Sequence, residues 1–107
     1  VALPTDYLRL KGEIVRLFHL GQNYPNPFNA ATRISFHLPK AAPASLDIYD
    51  VSGRFVTSLS QGTLDAGEHV AIWDGRDISG AAVASGIYYC RLQAPLMQKA
   101  IKMVLLR

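Results

Sequence analysis

The chain has little of what staples, ligates or anchors a protein. Its 107 residues contain one cysteine, Cys90, and one tryptophan, Trp73. A single cysteine excludes an internal disulfide and a cysteine-based metal cluster. No apolar run approaches the roughly 20 residues of a membrane-spanning helix, so no membrane span is expected. Val1 to Asp6 lack the basic start and apolar core of a signal peptide. The chain opens on Val1 rather than Met, which reads as a fragment or a processed product.

Charge is scarce as well, at 18% of residues, and its basic excess does not gather. Arg9, Lys11, Arg16, Arg33, Lys40, Arg54, Arg76 and Arg91 are scattered, and Asp47, Asp50, Asp65, Glu68, Asp74 and Asp77 interleave with them. Nucleic-acid binders concentrate bases on one face or stripe. The pattern therefore points away from nucleic acid. The densest basic stretch, Lys99, Lys102 and Arg107, reads as a solvated strand edge that discourages pairing.

Catalytic signatures are missing too. His19, His37 and His69 lie far apart without ligand spacing. Ser85 sits in Ala84-Ser85-Gly86, not in a nucleophile elbow. No phosphate-cradling loop is present. Cys90 has no neighbouring base and reads as a small core residue. These absences argue for a non-enzyme without cofactor or metal.

What is present is half apolar, and a chain of this length can bury about two-thirds of its unfolded surface. One globular domain is expected. Thr32, Ile34, Phe36 and Leu38 alternate with Arg33, Ser35 and His37, the period of a half-buried strand. Ala44 to Val51 turns Leu46 and Ile48 inward and Asp47 and Tyr49 outward. Ser52-Gly53 signals a turn, and Arg54 to Leu59 reads as the returning strand. Gln61-Gly62 and Ala66-Gly67 bracket a loop before a strand over Glu68 to Trp73. Asp74-Gly75, Ser79-Gly80 and Ser85-Gly86 break the chain. Ile87 to Leu92 is rich in β-formers and is stopped by Pro95. Lys99 to Leu106 is the last strand, with apolar residues on both faces, as in a strand covered on both sides. Short strands spaced by roughly 8–12 residues predict an all-β sandwich or barrel, and an antiparallel sandwich of about seven strands fits best.

The first twenty residues are ambiguous. Leu8, Leu10, Gly12 and Ile14 alternate with Arg9, Lys11 and Glu13. After a break of phase, Val15 and Leu17 alternate with Arg16 and Phe18. A strand with a bulge near Ile14-Val15 fits. A helix fits too, with Leu10, Ile14, Leu17 and Phe18 on one face, Thr5 or Asp6 at its start and Gly21 at its end. Gly12 would cost such a helix about 1 kcal/mol, which favours the strand. Roughly fourteen extended residues would span about 46 Å, so the segment must bend, split or lie against something outside its own domain.

Gln22-Asn23-Tyr24-Pro25-Asn26-Pro27-Phe28-Asn29, followed by Thr32 to Phe36, resembles the start of the C-terminal sorting domains of type IX secretion. The resemblance continues through Ile48-Tyr49-Asp50-Val51-Ser52-Gly53-Arg54. It continues again through Ala66-Gly67-Glu68-His69, Trp73-Asp74-Gly75-Arg76-Asp77, Gly80 and Val83 to Tyr89. Lys102 to Arg107 resembles the family's terminal strand. The likeness covers residues 20–107 and leaves residues 1–19 outside as an extension or linker. It implies an immunoglobulin-like sandwich, related to the Ig-like domain of the flagellar hook-capping protein.

Within these motifs, Pro25 and Pro27 fix backbone angles around Tyr24 and Phe28, so both rings are expected to plug the end of the sandwich. Asn23, Asn26 and Asn29 are expected to bond nearby backbone. Trp73 reads as the core anchor. Asp74, Gly75, Asp77 and Gly80 read as a turn rather than a calcium loop, which needs more acids at closer alternation. Gly86 marks the turn into the next strand.

Three functional readings follow. By resemblance, the domain directs export by the type IX route and attaches at the cell surface. Its partner would be the outer-membrane machinery, reading Lys99, Lys102, Met103, Val104, Leu105, Leu106 and Arg107 by strand addition and charge. Alternatively, it is a self-assembling extracellular structural subunit, a filament or surface layer. Leu8, Leu10, Ile14, Leu17 and Phe18 would then pair with a neighbouring copy as a homo-oligomer. A third reading is an accessory polysaccharide-binding module using Tyr7, Tyr49, Tyr88 or Tyr89.

Overall fold

Alternation of apolar and polar residues sets two sheets face to face. The computed structural model describes residues 18–107. Seven strands follow in order: β1 His19–Leu20, β2 Thr32–Leu38, β3 Ala42–Asp50, β4 Phe55–Leu64, β5 Gly67–Trp73, β6 Gly86–Ala94 and β7 Met97–Leu105. One sheet has the order β1-β2-β5 and the other β4-β3-β6-β7, with every pairing antiparallel. No helix occurs among the described residues, and none is there to cross a membrane.

Strand β2 follows its sequence pattern, with Thr32, Ile34, Phe36 and Leu38 all buried. From the facing sheet, Leu46 and Ile48 of β3, Cys90 and Leu92 of β6, and Met103 and Leu105 of β7 meet them in one core. Phe18 is 1% exposed and belongs to that core, which extends the folded unit two residues ahead of Leu20.

Two strands differ from expectation. Strand β4 runs through Gln61-Gly62 instead of looping there, because Ser45 and Ala44 continue the ladder opposite these residues. Gly62 takes a φ of 106° while staying in register, a conformation open to glycine without a Cβ penalty. Strand β7 is covered on one face only. Met103 and Leu105 are buried, whereas Lys102 and Leu106 are exposed. It is the outermost strand of its sheet, and no third layer lies outside it among the described residues.

Two turns are built alike from the same four-letter pattern. In Asp50-Val51-Ser52-Gly53, Asp50 Oδ1 accepts from Ser52 N (2.9 Å), Ser52 Oγ (2.6 Å) and Arg54 N (2.9 Å). In Asp77-Ile78-Ser79-Gly80, Asp77 Oδ1 accepts from Ser79 N (2.9 Å), Ser79 Oγ (2.6 Å) and Ala81 N (3.0 Å). The serine hydroxyl, then the following backbone N–H groups, hold both carboxyls below the usual 3.8. A carboxyl depressed in the native state contributes stability above its unfolded pKa and loses it as pH falls through the native value. Melting temperature followed from about pH 6 down to pH 2 should therefore drop below about pH 4. The Asp50→Asn, Asp77→Asn double variant should show a shallower drop over that range.

Candidate functional site

The two segments that carry the sequence resemblance, Gln22 to Phe28 and the terminal strand, lie side by side. Phe28 N donates to Val104 O (3.0 Å), and Leu106 N donates to Phe28 O (2.8 Å). Val104 N donates to Asn26 Oδ1 (3.0 Å), and Gln22 Nε2 donates to Lys102 O (2.8 Å). The outer backbone edge of β7 from Lys102 to Leu106 is thus clasped by the chain's own Asn-Pro segment. Buried polar groups need partners, and the clasp supplies them internally.

Asn23 organises the clasp. It is 3% exposed, and its Nδ2 donates to Thr32 Oγ1 (3.0 Å) and Pro25 O (3.2 Å). Thr32 Oγ1 donates in turn to Pro25 O (2.8 Å). Phe28 is buried and tilts against Trp73 with ring centroids 5.6 Å apart. Tyr24 does not share that role: it is 78% exposed. Its backbone pairs with Arg33, which leaves the ring outside the sheet. Asn23, not Tyr24, occupies the inner position.

Trp73 is 1% exposed, with Tyr88 edge-on to it at 5.1 Å and its Nε1 donating to Arg76 O (3.0 Å). Tyr88 Oη donates back to Ala84 O (2.7 Å), a tyrosine corner that pins the loop before β6. Gly80 closes the Asp77 turn by donating its N–H to Asp77 O (2.9 Å), and Gly86 opens β6.

Arg107 locks the same loop from the other side. Its Nη2 donates to Gly75 O (2.6 Å), its Nε to Val83 O (2.7 Å), and its backbone N to Ser85 Oγ (2.9 Å). Of the terminal residues singled out for recognition, Met103 and Leu105 are therefore core, and Val104 and Arg107 are engaged internally. Lys99, Lys102, Leu106 and Arg107 are exposed, Arg107 with its guanidinium tied to the loop. Of the residues considered for inter-subunit pairing, Leu8, Leu10, Ile14 and Leu17 lie outside the described residues. Phe18 packs in the chain's own core.

The acidic loop is a turn. Asp77 spends one oxygen on the three donors above, and Asp74 Oδ2 lies 3.6 Å from Arg76 Nε. No group of three metal-ligating side chains comes together among the described residues. His69 stacks on Phe36 at 4.9 Å and hydrogen-bonds Asp65 O at 2.8 Å. Cys90 is fully buried, and burial, with Asp47 nearby, pushes its thiol up to about 12. The thiolate is the reactive form. Ellman's reagent at about pH 8 should accordingly leave the native protein untouched and react with one thiol per chain only after denaturant is added. Rapid native labelling would contradict this burial.

Two of the tyrosines considered for polysaccharide, Tyr49 and Tyr89, share a surface with Phe55, which went unremarked in the sequence. Tyr49, Tyr89 and Phe55 stand in one row across β3, β6 and β4 on the outer face of the larger sheet, since Tyr49 is opposite both Tyr89 and Phe55. The signal was available: Phe55 precedes the inward-facing Val56. It was missed because the turn at Ser52-Gly53 hid the register that brings Phe55 back to Tyr49.

The sequence model of the FlgD Ig-like domain family matches residues 21–96. No curated protein matches the chain. Among solved structures, FlgD from P. aeruginosa is 26% identical with a TM-score of 0.55, over 70% of this chain and 60% of that one. FlgD from Xanthomonas campestris, described in connection with hook capping, is 25% identical with a TM-score of 0.56, over 89% of this chain and 72% of that one. Latent PorU from Porphyromonas gingivalis shares the fold at 24% identity and a TM-score of 0.61, over 79% of this chain but 9% of its own.

Proposed function

The chain belongs to the FlgD Ig-like domain family, and on that premise we propose that it is a non-catalytic module that directs export by the type IX route and attachment at the cell surface. The observation that carries this reading is the clasp. The Asn-Pro segment and the terminal strand, the two ends of the sorting-domain resemblance, form one hydrogen-bonded unit. The fold shared with PorZ of Porphyromonas gingivalis, a surface component of the type IX secretion system (23% identity, TM-score 0.55), is in keeping with it.

In this reading the outer-membrane machinery contacts Lys99, Lys102 and Leu106, exposed side chains of the terminal stretch, whereas the Arg107 guanidinium is held by Gly75 O and Val83 O. Strand addition would use the part of β7 ahead of the clasp, Met97 to Ile101. The test is a fusion of residues 18–107 to a periplasm-stable reporter in a host with this secretion system. Surface-exposed reporter is expected. A reporter retained inside, while an established sorting domain exports it, would sink the proposal.

A second reading, self-assembly into an extracellular filament or layer, rests on the alternating apolar pattern of Tyr7 to Leu20. Because Phe18 is committed to its own core, pairing with a neighbour would use the residues before it. Sedimentation of the full chain at high concentration decides this: a monomer rules assembly out.

A further inference from the structure

The outer face of the larger sheet carries chemistry that export does not require. Phe55 and Tyr89 are 48% and 39% exposed. They flank Tyr49 from the neighbouring strands, and two strand spacings put them about 10 Å apart. Phe55 meets Tyr49 edge-on at 6.0 Å. On the next rung, Arg91 lies opposite Asp47. The Arg91 guanidinium sits 4.7 Å above the Tyr49 ring, and its Nη2 donates to Tyr49 Oη (2.6 Å). Cation–π contact and hydrogen bond together fix that guanidinium. Its buried Nε has no hydrogen-bond partner among the described residues.

We infer that this face binds a neutral polysaccharide. Two exposed rings about 10 Å apart offer apolar platforms to alternate pyranose rings of a chain, whose C–H faces stack on aromatics. Beside them, on the next rung, the fixed Arg91 donors and the Asp47 carboxylate offer donors and acceptors to the hydroxyls at the ring edges. A protein-docking core shares the aromatics and the arginine but would be depleted of an acidic residue such as Asp47. The exposed aliphatic pair Val70 and Ile72 lies instead on β5, in the other sheet. With Asp47 opposite Arg91 and Lys102 opposite Tyr89, the face carries both signs of charge, which suits an uncharged chain better than an acidic one.

Affinity electrophoresis of the full chain tests this, with hydroxyethylcellulose, galactomannan or alginate cast in the gel. At least one of the two neutral polymers should retard the protein. Tyr89→Ala and Phe55→Ala should each weaken that retardation about tenfold, the loss of one well-placed contact ring. Melting temperatures of both variants should stay near wild type, because both rings are largely outside the core. Ile72→Ala, on the opposite sheet, should bind as wild type does. No retardation by either neutral polymer, retardation by alginate alone, or retardation indifferent to both ring variants would each overturn the inference. Binding is read on purified protein, so its failure is separable from a failure of export.

Discussion

Trp73→Ala should destabilise the domain by about 3–5 kcal/mol, the range for deleting a large buried aromatic. The indole is where the two sheets meet the clasp and the tyrosine corner. Phe28 of the clasp packs on it at 5.6 Å and Tyr88 of the tyrosine corner at 5.1 Å. Truncation removes apolar burial, leaves a cavity between those rings and takes the donor from Arg76 O. In a domain of this size each kcal/mol moves the melting temperature by about 4–8 °C. Urea unfolding followed by circular dichroism measures the loss without needing the indole as probe. The loss should not add to that of Phe28→Ala, since touching rings share one cavity. A midpoint unchanged in Trp73→Ala would contradict the packing described above.

The central strands were readable because their signal is local. Thr32 to Leu38 has one face in the core and one in solvent, so period-two alternation reports burial directly. Trp73 was readable for a different reason: a lone tryptophan beside an Asp-Gly turn has few places to go but the core. The terminal strand was misread on one point. Val104 and Leu106 made the pattern look apolar on both faces, but a sequence does not say whether a strand is central or outermost. What covers β7 is an edge clasp, and its hydrogen bonds close over a separation of about eighty residues, between Gln22 and Lys102 and between Asn26 and Val104. No local pattern encodes such a contact. Tyr24 was misplaced for a related reason. Ring hydrophobicity favours burial, but the inner position is taken by Asn23, whose two acceptors, Thr32 Oγ1 and Pro25 O, are in place only once those residues have been brought to it. The aromatic row on the outer sheet needed register across three strands, which the turn chemistry at Ser52-Gly53 alone does not fix.

Gly75→Ala should cost about 2–4 kcal/mol, from two separable causes. Gly75 has φ of 73°, a left-handed conformation that costs an L-residue roughly 1–2 kcal/mol. The added methyl would also lie 2.6 Å from Arg107 Nη2, too close for any real contact. The guanidinium must then leave Gly75 O, and its bond to Val83 O is disturbed with it. Arg107→Ala alone forfeits those two bonds and should cost about 1–3 kcal/mol. In the double variant the methyl meets no guanidinium, and the bonds it would have broken are already gone. The two losses should therefore be less than additive, with the backbone cost of Gly75→Ala persisting on its own. Chemical denaturation of the two single variants and the double variant closes the cycle. Strictly additive losses would mean that the methyl and the guanidinium do not meet, and that Arg107 does not lock the Trp73-Asp74-Gly75 corner to the terminal strand.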